Sequence, residues 1–377
     1  MKLVVSDTVS KKKARFQSKG IRIPQELIAE LEREHNTPAV RTGRLVFCLE
    51  APDDKKSLIP VFIVNGKHVS QSPFHMVKND STYEIWEENK KYTDIIMMPR
   101  PQFYDLSTSD TVPMFKVAVI VAPGHMRSVV SQKCLYYELG KPCKFCAVQH
   151  WWDSNIKKTS RQVCETVTAG VKEGAVTHAS LTTATLNTRG KGLEGLVETA
   201  KLIAAMVKIP LMLEFEPSAD SALVDELLTE AKSSGITTVF CNIECFDASV
   251  REEVMPLKGK VKTATYVKTW QKCLDIFGKN EVYTVVVVGI GEDDDSILRG
   301  VEMAASHGVI TFLVPHMPAI GAVYEDMEPP GYDRMLYLYE KAVNIYKKYG
   351  LDLWASKAGC ARGGAFSAIK EVDRFGI

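Results

Sequence analysis

The last two thirds of the chain alternate between segments typical of buried strands and segments typical of amphipathic helices. The strand-like segments are short and rich in β-branched residues, which suit a pleated surface. They span residues 128–132, 177–183, 210–216, 236–244, 282–288 and 310–314. The helix-like segments span residues 160–169, 193–207, 220–233, 264–276, 297–306 and 332–349. Repeated strand–helix units need a parallel sheet with right-handed crossovers. The sequence therefore predicts an α/β fold, a partial (β/α)6 TIM barrel with six units instead of eight.

Residues 1–115 lack this alternation and are predicted to form a separate, mixed α/β extension, which leaves the barrel and a C-terminal tail in residues 116–377. The expected elements of the extension are a helix over 24–31, which begins at a proline, and strands over 45–49, 58–64 and 83–86. Asn65-Gly66 predicts a hairpin turn, and Lys11-Lys12-Lys13 predicts a solvated, mobile terminus. The extension would serve either as a lid or partner surface, or as a packing element only.

The composition excludes several classes of protein. A formal net charge of +1 does not suit an electrostatic nucleic-acid binder. No segment approaches the roughly 20 apolar residues of a membrane helix, and the first residues lack the apolar run of a secretory signal. Nine cysteines, an odd number, favour thiols and metal sites over a disulfide framework. We therefore expect a cytoplasmic protein with no membrane and no nucleic-acid partner.

Three cysteines stand close together directly after the first predicted strand. Cys134, Cys143 and Cys146 follow the pattern C-x8-C-x2-C, and the aromatic Phe145 precedes the last of them. Soft thiolates at such spacing select zinc or an iron–sulfur cluster. A closed zinc site needs four ligands, and this loop offers three. Three thiolates on a cubane cluster leave one iron open to a small molecule. Zinc with a distant fourth ligand stays an alternative.

This loop resembles that of the radical S-adenosylmethionine (SAM) superfamily, in which three cysteines, usually C-x3-C-x2-C, follow the first barrel strand. The first gap is longer here. The resemblance implies a [4Fe-4S] cluster on Cys134, Cys143 and Cys146 whose open iron chelates SAM. One electron would then cleave SAM to methionine and a 5'-deoxyadenosyl radical, which abstracts hydrogen from a small-molecule substrate. It also implies an electron donor such as ferredoxin or flavodoxin.

Further candidate residues follow the ends of the other predicted strands, where barrel enzymes place their chemistry. They are Thr182 and Thr183 after the second strand, Glu214 and Glu216 after the third, Glu244 after the fourth, Gly289, Gly291 and Glu292 after the fifth, and His316 after the sixth. Glu216 could bind the ribose hydroxyls or the methionine amine. His316 could bind substrate or transfer a proton, or could be a hydrogen-bonded structural histidine.

Local motifs extend the resemblance to SAM-binding segments. Gly289-Ile290-Gly291-Glu292 resembles the Gly-x-Gly-Glu segment of biotin synthase-like enzymes, which lies near the SAM adenine. Asn242-Ile243-Glu244 resembles the Asn-Leu-Glu of lipoyl synthase-like enzymes and implies a role for Glu244 in SAM binding. The usual Gly-Gly-Glu after the second strand is replaced by Thr182-Thr183, so hydroxyls or carbonyls would hold the methionine amine.

From about residue 95 to 370 the chain is most similar to an uncharacterised radical SAM subfamily encoded beside nitrilases. The shared segments are residues 101–106, the cysteine loop, Met255-Pro256, residues 315–321 and the tail 357–362. That subfamily has three cysteines in the tail, whereas here only Cys360 stands there, so an auxiliary cluster is not expected. The alternatives are a sulfur-inserting enzyme like lipoyl or biotin synthase, and a non-catalytic protein that binds iron–sulfur and SAM.

Overall fold

The structure is a computed structural model that describes residues 7–37, 40, 43–150 and 157–377. The chain start, on which the expectation of no secretory signal rests, lies outside the described residues. The strands are β1 Arg44–Glu50, β2 Leu58–Val64, β3 Phe74–Asn79, β4 Thr82–Glu87, β5 Lys90–Ile95, β6 Val119–Ala122, β7 Gly124–Val129, β8 Val176–Thr182, β9 Leu211–Phe215, β10 Ile236–Cys241, β11 Val282–Val288 and β12 Ile310–Pro315. The helices are α1 Val9–Lys19, α2 Gln25–Glu34, α3 Leu135–Glu138, α4 Ser160–Lys172, α5 Leu193–Met206, α6 Ser221–Ser233, α7 Ala248–Val254, α8 Thr263–Phe277, α9 Asp294–Ser306, α10 Tyr332–Lys348, α11 Gly359–Gly363 and α12 Ile369–Phe375.

The main sheet has the order β12-β11-β10-β9-β8-β7-β6 in the described part of the chain. Strands β7 to β12 run parallel to one another in chain order, and β6 pairs antiparallel with β7 at one edge. Because helices cover parallel strands, these strands are apolar along most of their length, as the valine-rich β11 shows. The predicted partial (β/α)6 barrel is confirmed.

The sequence located most of these elements closely, and β11 has the predicted bounds. The first barrel strand spans Gly124–Val129 and so begins four residues before its predicted start, and the edge strand β6 is not among the predicted strands. The reason lies in His125 and Arg127. These polar residues in β7 interrupt the apolar pattern by which a parallel strand is recognised, yet His125 is fully buried against the ring of His178.

The N-terminal part is a mixed α/β extension, as predicted, with β1–β2 in one sheet and β3–β4–β5 in another. Phe16 of α1 packs edge-on against Phe47 and Phe74, which joins both sheets in one core. The expected hairpin turn at Asn65-Gly66 is wrong, because β2 pairs with β1 and not with a following strand. Instead the Asn65 carboxamide donates to Ile21 O (2.6 Å) and accepts from Ile21 N (3.0 Å).

The expectation of a mobile lysine-rich terminus is also wrong. The Thr8 hydroxyl caps helix α1 by accepting a hydrogen bond from Lys11 N (3.2 Å). The Lys13 side chain is fully buried, and its ammonium lies 3.0 Å from Glu371 and 2.9 Å from the carbonyl of Gly364. Such a charge is buried only when it is paired. Helix α1 is thus fixed to the C-terminal tail.

Strand β2 lies beside β6, the edge of the barrel sheet, and Phe62 N donates to Ala365 O of the tail (3.0 Å). Just beyond β2, Gly66 packs so closely on Pro318 O that a Cβ atom would lie 2.3 Å from it. Pro318 follows β12, the other edge strand. The extension therefore spans the gap between the two edges of the incomplete barrel.

A domain boundary between 115 and 116 stays a prediction. Among the described residues, no helix is both long and apolar enough to cross a membrane.

Candidate metal and cofactor site

Backbone hydrogen bonds fix the start of the cysteine loop at the carboxyl end of β7. Val130 N donates to Thr182 O (2.8 Å), and Leu135 N donates to Thr185 O (2.8 Å). Cys134 directly precedes helix α3. At the other end of the loop, Cys146 N donates to the carbonyl of Cys143 (3.0 Å), which forms a tight turn between these two cysteines.

The three cysteines open into one cavity of about 300 Å³, which we call the cysteine cavity. Its lining residues are Arg127, Val129, Cys134, Tyr136, Cys143, Phe145, Cys146, Val148, Thr182, Thr183, Ala184, Thr185, Glu214, Phe215, Glu216, Asn242, Glu244 and Lys258. The structure thus brings together all the predicted metal ligands with Phe145, Thr182, Thr183, Glu216 and Glu244. They converge because consecutive parallel strands present their carboxyl ends at one rim.

The three thiols do not form a compact zinc site in this structure. A tetrahedral site with Zn–S bonds of about 2.3 Å holds its sulfurs about 3.8 Å apart. In the described part of the chain, the one set of three potential ligands whose atoms all lie within 4.8 Å of one another is Glu30, Glu34 and His35. The donor set of three soft sulfurs on one cavity suits iron–sulfur chemistry.

Burial raises the pKa of the Cys143 thiol well above its usual value and raises that of Cys146 to about 11. Both groups are therefore neutral near pH 7 in the protein without metal. A metal must displace their protons when it binds, so binding is expected to depend on pH.

Glu244 and Lys258 form a largely buried ion pair on one wall of the cysteine cavity, with Lys258 Nζ 2.9 Å from Glu244 Oε1. Burial raises the pKa of Glu244, and the positive charge of Lys258 partly opposes this rise. Glu244 has a left-handed backbone (φ 65°), and its N–H and C=O pair with Val285 and Val287 of β11. This strained conformation, rare outside glycine, holds the carboxylate at the rim.

Glu216 is surrounded by donors. Its carboxylate accepts hydrogen bonds from the Tyr136 hydroxyl (2.7 Å) and the Thr185 hydroxyl (2.7 Å), and the ammonium of Lys191 contacts it as well. Because Tyr136 belongs to the cysteine loop and Thr185 follows β8, these bonds connect the loop to two strands of the barrel.

A third carboxylate, Glu214, lies between two polar partners. Arg127 Nη2 donates to one of its oxygens (2.9 Å) and Asn242 Nδ2 to the other (2.7 Å). Arg127 Nη1 also lies 3.4 Å from the sulfur of Cys360 in the tail. The tail cysteine is therefore a buried partner of Arg127.

Four of the predicted residues do not line the cysteine cavity. Gly289 and Gly291 have positive φ (101° and 118°), and Cβ atoms there would meet Pro330 and Val250. The carboxylate of Glu292 accepts from the backbone N–H groups of residues 246 and 247 and from a serine hydroxyl. His316 is buried, its Nε2 lies 3.4 Å from a backbone carbonyl, and burial lowers its pKa to about 4. Their roles in binding or catalysis stay predictions.

Sequence reasoning missed several residues of the cysteine cavity. Lys258 follows a loop that has no periodic pattern, and its pairing with Glu244 depends on folding. Arg127 lies inside a strand, where a charged residue counts against the assignment of a strand. Tyr136 gave only a weak signal, as an aromatic residue within the cysteine loop.

Neither a family model nor a curated protein sequence matches the chain. Among solved structures it is similar to methylornithine synthase (PylB), with a TM-score of 0.46, 12% identity and coverage of 60% of this chain and 62% of that one. For HydG, a maturase of the [FeFe]-hydrogenase, the TM-score is 0.43 at 14% identity, and the match covers 59% of this chain and 49% of that one. For a radical SAM methyltransferase from Sphaerobacter thermophilus, the TM-score is 0.46 at 12% identity, and the match covers 75% of this chain and 77% of that one. The chain spans less than two thirds of the length of the first two of these structures. Because these TM-scores are below 0.5, the similarities assign neither a family nor a reaction to this chain.

Proposed function

We propose that this protein is a radical SAM enzyme that holds one [4Fe-4S] cluster on Cys134, Cys143 and Cys146 and binds SAM beside it. The observation that carries the proposal is the convergence of three thiols and three carboxylates on one cavity at the carboxyl ends of parallel strands. Three thiol ligands on one cavity suit a cubane cluster with one site left for a small molecule.

The charges of the cysteine cavity suit SAM. SAM carries two positive groups, the sulfonium and the ammonium, and one negative carboxylate. The carboxylates of Glu214, Glu216 and Glu244 each have one cation beside them, from Arg127, Lys191 and Lys258. Electrostatic complementarity of this kind favours a ligand that carries charges of both signs. Thr182 and Thr183 add hydroxyl and carbonyl groups at the place where the superfamily has Gly-Gly-Glu.

When bound, the cluster would supply the electron that cleaves SAM, and the resulting radical would take hydrogen from a small substrate. The protein has three tasks around this chemistry. Lys258 holds the Glu244 carboxylate in place, and Tyr136 does the same for Glu216. The apolar side chains of Phe145 and Val148 exclude water from the cavity. The electron must come from outside, and a ferredoxin or flavodoxin is the proposed donor.

The test is anaerobic reconstitution followed by iron and sulfide analysis, reduction with dithionite, and an assay for 5'-deoxyadenosine with SAM alone. We expect about four irons per chain and release of deoxyadenosine. Cys143→Ala should abolish both. Cys164→Ala is the matched control, because this buried cysteine lies in helix α4 away from the cysteine cavity, and it should retain both.

The other outcomes separate the alternatives. Zinc in place of iron would overturn the proposal. A cluster that binds SAM without cleaving it would indicate a non-catalytic protein. About eight irons per chain would favour sulfur insertion, since a second cluster supplies the sulfur in that chemistry.

A further inference from the structure

A second cavity, of about 320 Å³, adjoins the cysteine cavity; we call it the β2 cavity. Its volume lies within the range of small-molecule sites in proteins. Arg127, Val129, Phe145 and Cys146 line both cavities. A molecule in the β2 cavity would therefore lie directly beside the proposed cluster and SAM.

Three strands each present alternate residues to the β2 cavity. Because successive side chains of a strand point to opposite faces, residues two apart share a face. The residues that line the cavity in this way are Phe62 and Val64 on β2, Val119 and Val121 on β6, and Arg127 and Val129 on β7. Strand β2 belongs to the N-terminal extension and lies beside β6, the edge of the barrel sheet. The barrel without its extension would leave this side of the cavity open.

The lining of the β2 cavity is mainly apolar. Of the seventeen described residues that line it, thirteen are aliphatic, aromatic or cysteine, and four of these are the phenylalanines 62, 115, 145 and 366. Phe62 of the extension packs on Phe366 of the tail, with ring centroids 4.6 Å apart. An apolar cavity holds water poorly and takes up apolar molecules instead.

The other four lining residues are cations, and each of them already has a partner. Arg127 pairs with Glu214 (2.9 Å). The buried ammonium of Lys158 donates to Val129 O (2.9 Å) and Gln132 Oε1 (3.4 Å). Arg44 and Lys116 have partners as well. The surface that the cavity leaves for a ligand is therefore the apolar one.

We propose that the β2 cavity is the substrate site and that the substrate presents an uncharged, apolar group to it. This inference rests on the proposed function, because it places the substrate beside SAM. Burial of the apolar group against β2, β6 and β7 would supply the affinity. Phe62 and Val64 would determine specificity, because they form the wall that the barrel itself lacks.

The test uses three uncharged probes: hexan-1-ol, octan-1-ol and octane-1,8-diol. Each is titrated by calorimetry into the anaerobically reconstituted protein with SAM in excess, so that the cysteine cavity is occupied. Each additional buried CH2 strengthens binding about three- to fourfold, so octan-1-ol should bind about tenfold more tightly than hexan-1-ol. The diol should bind about tenfold more weakly than octan-1-ol, because its second hydroxyl would be buried without a partner. Equal binding of the three probes, or no binding of any, would overturn the proposal.

Variants locate the probe. Val64→Trp, on the extension, and Ala319→Trp, after β12, fill the cavity from two different walls, and each should weaken octan-1-ol binding about tenfold or more. Leu58→Trp is the matched control, since Leu58 begins the same strand β2, is exposed and does not line the cavity, and it should bind like the wild type. Circular dichroism shows which variants are folded, and either cavity variant alone can decide the question. Unchanged binding in a folded cavity variant would place the probe elsewhere and refute the assignment.

The same samples are assayed for 5'-deoxyadenosine with SAM alone, which separates the two proposals. Cleavage of SAM without selective binding of octan-1-ol would refute the substrate site and leave the proposed function standing. No cleavage, with octan-1-ol binding that Val64→Trp or Ala319→Trp removes, would refute the radical SAM function but keep the cavity as a site for apolar molecules.

Discussion

Lys258 Nζ lies 2.9 Å from Glu244 Oε1, although 14 residues separate the two in the chain, and only 13% and 12% of their side chains are exposed. Glu244 follows β10, and Lys258 lies in a 3-10 turn after α7. The pair supplies one carboxylate and one cation to the wall of the cysteine cavity. Neither residue could be kept there alone, because each would be a buried, unpaired charge.

Loss of one member of this pair should strongly destabilise the protein. In Lys258→Met the carboxylate of Glu244 stays buried without its partner, and we expect the free energy of unfolding to fall by about 3–5 kcal/mol. Urea denaturation monitored by circular dichroism measures the change. Adding Glu244→Gln should restore part of the loss, because the second substitution removes the unpaired charge.

Lys260→Met is the control for this prediction, since Lys260 is exposed two residues further along the same turn. It should change stability little. Equal losses in the Lys258 and Lys260 variants would show that the ion pair does not account for the effect.

Replacing Gly289 should change the stability of the fold and not the affinity for SAM. Its φ is 101°, and a Cβ atom would lie 2.9 Å from Pro330. Gly289→Ala is therefore expected to lower the free energy of unfolding by about 1–3 kcal/mol. Calorimetry with SAM should give an unchanged affinity, because Gly289 does not line the cysteine cavity. A variant of normal stability with weak SAM binding would instead support its predicted role near the adenine.

The matched control is Gly195→Ala in helix α5. A Cβ atom there meets nothing within 4 Å, so the alanine should stabilise the protein, by up to about 1 kcal/mol. The same substitution is thus expected to act with opposite sign at the two positions.

The buried pair of Lys13 and Glu371 should be a major contact between the extension and the tail. Lys13→Met leaves Glu371 buried without its cation, and we expect a loss of about 3–5 kcal/mol in the free energy of unfolding. Lys11→Met removes a half-exposed partner of Asp7 from the same run of lysines, and should cost less than about 1 kcal/mol. Urea titrations of both variants compare them directly; similar losses would contradict the burial argument.

Stability should fall in mild acid because of a buried histidine. Burial lowers the pKa of His178 from its usual 6.5 to about 3, and its Nδ1 accepts a hydrogen bond from Gly359 N (3.0 Å). Between these values the unfolded chain binds a proton that the folded chain does not. The free energy of unfolding should therefore drop by about 1.4 kcal/mol per pH unit from this group as pH falls from about 6 to 4.

His178→Asn should flatten this dependence, because an asparagine oxygen can accept from Gly359 N and does not titrate. Unfolding curves at several pH values provide the measurement. The stacked His125, whose ring centroid lies 4.7 Å away and whose pKa is also lowered by burial, and the buried His316 should both contribute to the slope that remains. Identical slopes in variant and wild type would rule out His178 as a source.

The sequence by itself determined the barrel. Hydrophobic periodicity is a local property, so strands such as Val282–Val288 and helices such as Tyr332–Lys348 could be read from the chain with little error. Because parallel strands share one rim, the sequence also predicts that the cysteines, Thr182, Glu216 and Glu244 lie together. Where polar residues such as Arg127 face the barrel interior, that periodicity fails, and the predicted start of β7 is four residues too late.

The tertiary structure alone decided the contacts between distant segments. The pairing of Lys13 with Glu371 joins residues 358 positions apart, and no local pattern encodes it. The same holds for Lys258 beside Glu244 and for Phe62 against Phe366. Such contacts depend on how whole elements pack. A buried charge needs an opposite charge beside it, and the residue that supplies it can lie anywhere in the sequence.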